Sequence, residues 1–304
     1  MLFEGAYMKK FAAGIVSYNP DISRLKENIE TIRKQVKIVL IIDNASDNVV
    51  DIRQMIKEYK NVYMICNTVN KGIAVALNQI CHYLKEQGMV WCLLLDQDSI
   101  CSENLIEIFS KYIDDKKVGM LCPYIVDEFK ITLSKYKQMT LSEKTICDYA
   151  ITSGSFIKLD IWEKIGGFFE DLFIDGVDAD YSYNLRMHGY VIYRVNKGYI
   201  MHQQGNNTEK THIYRIHRDE TGRKTIKPAF RFNYSMMRWY YMARNNWILI
   251  KKYRKLNGLA KPLFNYIIRF LSVILIERHK MKVIASIFNG FIDGVKYKVE
   301  TVKF

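Results

Sequence analysis

Apolar and polar positions in the first hundred residues come in alternating blocks. Phe11-Ala12-Ala13-Gly14-Ile15-Val16 is an apolar run that ends in the polar turn Ser17-Tyr18-Asn19-Pro20, and it reads as a first strand. A helix is predicted from about Ile22 to Gln35. Val36 to Ile42 then forms a second strand, closed by Asp43-Asn44-Ala45-Ser46-Asp47. A second helix covers Val50 to Tyr59, and Val62 to Cys66 is a third strand. Asn70-Lys71-Gly72-Ile73-Ala74 opens a helix running through Asn78 toward Leu84. Val90-Trp91-Cys92-Leu93-Leu94-Leu95 suits a fourth strand, buried on both faces, although periodicity alone leaves a buried helix segment open. The repeated β-α order predicts an α/β fold with a parallel sheet and right-handed crossovers.

Ligands of open α/β sheets gather beyond the carboxyl ends of the strands. Three of the predicted strands end in residues able to meet one: Ser17 to Asn19, Asp43 to Asn44, and Asp96-Gln97-Asp98. Two carboxylates one residue apart can turn toward one spot, where a divalent cation that also holds a phosphate relieves their repulsion. The plainer alternative is a solvated turn before a helix that starts near Ser102-Glu103-Asn104. Further on, Asp175, Asp178 and Asp180 precede a helix through Arg186, whose positive end they would favour.

The pattern changes after His202. Gln203 to Lys227 is polar, contains Gly205, Asn206, Asn207 and Gly222, and has no apolar period, which predicts a mobile loop over residues 205–227 that orders as a lid. Tyr234 to Lys255 reads as an aromatic, basic helix. Leu263 to Ile276 is apolar except for Asn265, Arg269 and Ser272, and falls short of the roughly 20 residues that span a bilayer. A last helix carries Ile284, Ile287, Phe288, Phe291, Ile292 and Val295 on one face. The division expected is a catalytic domain over 1–227, with a donor half at about 9–100 and an acceptor half at about 101–204, followed by an amphipathic helical region over 228–304.

A length of 304 residues with 49% hydrophobic and 25% charged content fits one large α/β domain with an appendage. Charge sharpens that division. Residues 1–204 hold 24 Lys+Arg against 26 Asp+Glu, whereas residues 205–304 hold 21 against 6, so the whole surplus behind the net +13 lies in the last third. Such asymmetry marks a face that meets something anionic. Amphipathic helices with Trp, Tyr, Lys and Arg fit an anionic membrane surface; the alternative is a helical subdomain packed on the core or on another subunit. Nucleic acid is set aside because the basic region lacks a nucleic-acid fold signature. The six cysteines, at 66, 81, 92, 101, 122 and 147, form no C-x-x-C pair and read as free thiols in a reducing compartment. Met1 to Met8 contains Glu4 and has no apolar core before Lys9-Lys10, so a cytoplasmic protein is expected.

The strings GIVSYNP, IIDNASDN, NKGIAVALN and LLLDQDS follow one another in the chain. After them come Thr152-Ser153-Gly154-Ser155, then Phe173-Ile174-Asp175-Gly176-Val177-Asp178-Ala179-Asp180 leading to Leu185-Arg186, and His202 behind a further apolar strand. In this order the chain resembles, over about residues 9–255, the inverting GT-A glycosyltransferases of family 2. On DQDS and FIDGVDADY it is similar to the bacterial rhamnosyltransferases that use dTDP-rhamnose. The resemblance implies a Rossmann-like, mostly parallel GT-A sheet. It implies a donor site drawn from Ser17, Tyr18, Asn19, Asp43, Asn44, Asn70, Lys71, Gly72, Asn78, Asp96, Gln97 and Asp98. Within it Asp43 holds the nucleobase, Asn70, Gly72 and Asn78 shape the nucleoside pocket, and Asp96 meets ribose or metal. Asp98 coordinates a divalent cation, Mg or Mn, and His202 matches the distal metal ligand. Asp178 falls at the general base, with Ser153, Gly154, Asp180 and Arg186 on the acceptor side. Many relatives have Glu where this chain has Val177, which leaves open whether Asp180 or Asp175 shares the work. Trp162 to Phe169 resembles the loop beside the acceptor and is read as scaffold.

The activity implied is transfer of L-rhamnose from dTDP-rhamnose to a saccharide acceptor, lipid-linked, at the inner face of the cell membrane in cell-surface polysaccharide synthesis. A homo-oligomer stays open. The alternatives are a UDP-glucose or UDP-galactose transferase of the same fold and a non-catalytic membrane-associated scaffold subunit, which would have no need of Asp43, Asp96, Asp98 and Asp178.

Overall fold

The computed structural model describes residues 10–127, 131–202, 209–218 and 224–299. They divide into two compact units, one of Met1–Phe173 with Val177–Gln203 and the other of Ile174–Gly176 with Gln204–Lys303.

In the first unit the apolar runs become strands and the amphipathic runs between them become helices: β1 (Phe11–Ser17), α1 (Ile22–Ile32), β2 (Ile38–Asp43), α2 (Val49–Ile56), β3 (Val62–Cys66), α3 (Ile73–Glu86) and β4 (Trp91–Asp96). Asp21 caps α1 by accepting from Arg24 N at 2.9 Å. The helix stops three residues short of Gln35, whose side chain is drawn into tertiary bonds, donating to Ser102 O and accepting from Ile106 N. The chain continues as β5 (Ile100–Cys101), α4 (Leu105–Ser110), β6 (Val118–Asp127), α5 (Leu133–Lys137), β7 (Lys144–Cys147), β8 (Ser155–Lys158), α6 (Leu159–Lys164), a 3-10 turn at Glu170–Leu172, α7 (Val177–Met187) and β9 (Val191–His202).

The nine-stranded sheet has the order β3-β2-β1-β4-β8-β6-β9-β5, with β7 beside β9. From β3 to β4 every pairing is parallel, as the β-α repeat predicts. Beyond β4, β8 is inserted antiparallel to both β4 and β6, so the second half is mixed. The sheet's core is aromatic at this junction: Phe156 stacks on Trp91 and Phe109, with ring centroids 5.1 and 5.6 Å away, and meets the edge of Phe11. Truncating so enclosed a ring to Ala typically costs about 3–5 kcal/mol. Register decides where the site lies. Ser17 pairs with Asp43, Val16 with Asp96 and Asp43 with Cys66, so the polar strand ends line one edge.

The second unit begins, among the described residues, with an antiparallel ribbon of β10 (Glu209–Arg218) and β11 (Lys224–Arg231). This corrects the loop expected over 205–227. The successive residues Ile213 and Tyr214 are both exposed in β10, so this stretch carries no inside–outside alternation to read. Residues 205–208 and 219–223 of that expected loop lie outside the described residues. Then come α8 (Met236–Lys252), α9 (Arg254–Asn257), α10 (Ala260–Ile276) and α11 (Lys280–Lys296). Trp239, Met242, Ala243, Ile250, Tyr266, Phe270, Val283 and Ile287 form their core. A Cβ on Gly294 would stand 2.8 Å from Arg244 O, so glycine lets α11 lie backbone-close on α8. Among the described residues no helix is long and apolar enough to cross a membrane.

Candidate active site

The edge formed by the carboxyl ends of β1, β2 and β4 is built from side chains that hold one another. Asp43, 1% exposed, accepts from Ser17 Oγ at 3.1 Å, from Ser46 N at 3.0 Å and from the Ser46 hydroxyl. Three donors occupy most of the roughly four lone-pair sites of a carboxylate, leaving room for one more partner. Asn44 is a hub. Its Nδ2 donates to Asn70 Oδ1 at 3.0 Å and Gly72 O at 3.1 Å, and its Oδ1 accepts from Asn67 Nδ2 at 3.1 Å and Lys71 N at 3.0 Å. The buried Asn44 therefore shapes the 67–72 loop rather than facing a ligand, while Asn70 and the Lys71 side chain are exposed beside it. Asn19 links the ends of β1 and β2, its N donating to Ser46 Oγ and its side chain pairing with Asp47.

Gly72 carries the close approach on this edge. Its φ is +85°, and a Cβ there would meet Phe173 O at 2.7 Å and Phe173 Cα at 2.8 Å, while Ile73 N donates to Phe173 O at 2.6 Å. Only glycine fits. Asn78, expected in the nucleoside pocket, is placed elsewhere. Its Oδ1 accepts from Trp162 Nε1 and Phe168 N, and its Nδ2 donates to Phe168 O and Glu170 Oε1, so all four positions fasten the 162–170 loop onto α3. The scaffold reading of Trp162 to Phe169 agrees with that.

The acidic turn after β4 is fixed through its backbone. Asp96 N donates to Ser153 Oγ at 3.0 Å, Asp96 O accepts from Asn28 Nδ2 at 2.7 Å, and Asp98 O accepts from Arg24 Nε at 2.9 Å. Gln97 Oε1 accepts from Tyr18 N at 2.8 Å, and Ser99 and Ser153 share a hydroxyl bond of 2.7 Å. With the main chain so held, Asp96 and Asp98 are half-buried at the strand edge. Among the described residues no group of three or more His, Cys, Asp or Glu gathers that would hold a metal by itself. Two carboxylates do fit a cation of the magnesium type, which commonly takes one or two protein carboxylates and completes its shell with substrate phosphates and water. His202 closes β9 opposite Asp127; its side chain lies outside the described residues.

Asp178 stands in the first turn of α7. Its Oδ1 accepts from Ala179 N at 2.8 Å and its Oδ2 accepts from the Tyr149 hydroxyl. Tyr149 belongs to a strip laid along α7. Arg186 pairs with Asp148 at 2.9 Å, and Ser182 Oγ bonds both the N and the O of Ala150. Four residues past Tyr149 the same strip reaches Ser153 on Asp96, and Gly154 N donates to Leu94 O at 2.7 Å. Four Cα steps reach at most about 14 Å, so Asp178 and the acidic turn share one small region. Burial, and less strongly the Asp178 carboxylate, push the Tyr183 hydroxyl above its ordinary value there.

Three further expected residues have surroundings that only the fold reveals. Asp180 is 1% exposed and faces the interior, whereas Asp178 is half-buried. Asp175 falls in the second unit, where Arg238 Nε and Nη2 bind its two oxygens at 3.1 Å each and Asn245 Nδ2 holds the carbonyls of Ile174 and Asp175. Arg186 is held at 2.9 Å by Asp148, whose side chain is itself 80% exposed. Tyr149, Ser46, Asn28 and Arg24 went unread. Of these only Tyr149 gave a signal, as an aromatic beside Asp148 just ahead of Thr152-Ser153-Gly154-Ser155.

Comparison with known proteins adds to this geometry. The chain is 24% identical over 298 residues to the dTDP-rhamnosyl transferase RfbF of Shigella flexneri, covering 93% of this chain and 95% of that one. Its fold is similar to that of S. aureus TarS residues 1–349, with a TM-score of 0.53 at 12% identity over 93% of this chain and 89% of that one. It is similar too to GalNAc-T7 solved with UDP, GalNAc and Mn2+, with a TM-score of 0.53 at 15% identity, over 64% of this chain but only 44% of that one. The GT-A expectation for the fold holds. The sequence profile described as Glycosyl transferase family 2 matches residues 13–187, more than half of the chain, and the chain belongs to that family.

Proposed function

We propose that this glycosyltransferase moves L-rhamnose from dTDP-rhamnose, with inversion, onto a saccharide acceptor carried by a lipid at the cytoplasmic face of an anionic membrane. The observation that carries the reading is the 149–154 strip, bonded at one end to Asp178 and at the other to the Asp96-Gln97-Asp98 turn. A hydroxyl activated at the first point and a diphosphate leaving at the second are what an inverting transfer requires. The likeness to RfbF supports the rhamnosyl donor.

In this reading the 67–72 loop, shaped by Asn44 and Gly72, borders the nucleoside, and Asp43 has one acceptor position left for the base. Asp178 takes the proton from the acceptor hydroxyl as that oxygen bonds to the anomeric carbon, while the bond from that carbon to the phosphate oxygen breaks and dTDP leaves. Tyr149 and Ala179 N hold the carboxylate in one rotamer for the transfer. Asp96 and Asp98 would hold a magnesium or manganese ion, which neutralises charge developing on the diphosphate.

A UDP-hexose is the second reading, favoured by the UDP held in solved structures of TarS and GalNAc-T7. Turnover of dTDP-rhamnose, UDP-glucose and UDP-galactose with added Mg2+ or Mn2+ separates the two. Preference for dTDP-rhamnose, loss of activity in Asp98→Ala, and a fall of about 10² to 10⁴ in rate with donor affinity kept in Asp178→Asn are expected. Preference for a UDP-sugar overturns the donor. Absence of turnover with every donor favours a scaffold.

A further inference from the structure

Two helices of the second unit are apolar on the side that the unit leaves in water. On α10 the exposed residues are Phe264, Ile267, Ile268, Leu271 and Leu275, spaced i, i+3, i+4, i+7 and i+11, with Phe264 63% and Leu275 67% exposed. On α11 they are Met281, Ile284, Phe288 and Val295, with Met281 77% exposed. At 100° per residue each set falls in an arc of about 100° or less. The opposite sides of these helices are filled by Tyr266, Phe270 and Ile276, and by Val283 and Ile287. The single apolar face predicted for the last helix therefore splits: Ile287 and Phe291 turn inward, while Ile284, Phe288 and Val295 turn out. A helix that is apolar all round is normally enclosed. Large exposed apolar patches mark an interaction surface.

We infer that the outward rows of α10 and α11 dock this chain on an anionic lipid bilayer by inserting into its headgroup boundary. The inference rests on the reading of a membrane-borne acceptor for its purpose, and on this face for its evidence. Lys261, Arg269, Arg278, Lys280, Lys282 and Lys296 lie within or between the two helices. Of the two acidic residues in the same stretch, Glu277 is buried, accepting from Phe232 N at 2.9 Å and Asn233 N at 3.2 Å, and Asp293, exposed, falls on the other side of α11 from the outward row and accepts from Tyr240 Oη at 2.7 Å. The face thus combines apolar rows with a basic fringe, which complements anionic headgroups over acyl chains. A second copy set on the same face by two-fold symmetry would bring like charges together. At 17 residues and about 1.5 Å each, α10 is about 26 Å long, shorter than a hydrocarbon core of about 30 Å, so the helix lies in the plane of the interface.

The test is co-sedimentation of the full chain with phosphatidylcholine vesicles, with and without phosphatidylglycerol, at low and high salt. Binding that needs the anionic lipid, with part of it surviving high salt, is expected. Leu271→Glu combined with Phe288→Glu should lower the vesicle-bound fraction about tenfold or more while donor hydrolysis is unchanged. Leu271→Trp, a milder change, should add fluorescence that brominated lipid quenches beyond the wild-type signal, which keeps the question decidable if the glutamate variant fails to fold. Vesicle binding equal to wild type in the glutamate variant, no added quenching in the Leu271→Trp variant when vesicles are present, or a wild-type dimer that the glutamate variant breaks would each overturn the inference. Vesicle binding by a chain that turns over no nucleotide sugar would leave this face intact and sink the catalytic reading instead.

Discussion

Gly72→Ala tests how tightly the donor-side loop and the loop before the base are joined. A Cβ at Gly72 must share space with Phe173 O and Phe173 Cα, which are backbone atoms and cannot rotate aside. The φ of +85° with ψ of 167° is a conformation essentially confined to glycine, costing about 1–3 kcal/mol for another residue. Overpacking adds about 1–3 kcal/mol. Together these give about 4 kcal/mol as a central value, enough to lower the melting temperature of a unit this size by roughly 8–16 °C. Moving Phe173 also stretches its 2.6 Å bond from Ile73 N, five residues ahead of Asp178. Urea titration monitored by tryptophan fluorescence gives the stability loss. Donor titration and turnover at a temperature where the variant stays folded give the functional loss. Turnover is expected to fall further than the folded fraction does, since the loop has moved. A loss of less than about 1 kcal/mol, or turnover that tracks the folded fraction alone, refutes the reasoning.

Tyr149→Phe removes one donor to Asp178 while keeping the ring, and should lower kcat by roughly tenfold with donor affinity unchanged, measured by steady-state kinetics and calorimetry. Equal loss in both would make Tyr149 merely structural. Hydrogen bonding from the Cys122 thiol, with help from Arg194, lowers the Cys147 thiol to about 6, whereas burial raises Cys81, Cys92 and Cys101. Iodoacetamide at neutral pH should therefore label Cys147 before those three by peptide mass spectrometry, and labelling should slow as pH falls below about 6. Tyr266, buried with no hydroxyl partner among the described residues, is pushed up to about 12 by burial. Its neutral form favours the folded chain fully below the ordinary value of 10.0, and that advantage is lost as pH rises toward 12. Tyr266→Phe should be neutral or up to about 1 kcal/mol more stable at pH 7 and should unfold less readily in alkali, as urea midpoints across pH will show.

The first half of the sheet was legible because β1, β2 and β3 are each followed by a helix, and local apolar runs report parallel strands, with β1, β2 and β4 almost wholly buried. β8 was not, since its partners β4 and β6 are fixed by long-range antiparallel pairing that no local pattern encodes. The same distance explains Asn78. Its motif was visible, but its four bonds go to residues up to 92 positions away, so its work as a fastener shows only in the folded chain. Asp43 and Asp96 were readable as strand ends, whereas Ser46, Asn28 and Arg24 are ordinary polar residues until the fold brings them to the turns they hold. Asp180 reads as solvated, as an acid near a helix start does, and only its burial against the interior distinguishes it from Asp178.

The loop from Ile174 to Gly176 belongs to one unit while Phe173 and Val177 on either side belong to the other. The partition is interleaved, so the two halves are not cassettes that a single cut can exchange. A chain ended at residue 203 would keep every strand of the large sheet yet strip Asp175 of Arg238 and the 174–175 carbonyls of Asn245, leaving a left-handed turn unsupported two residues before Asp178. Grafting a different C-terminal region onto this sheet would have to bring its own equivalents of Arg238 and Asn245. Variation in the last hundred residues is thereby tethered to the chemistry of the first two hundred.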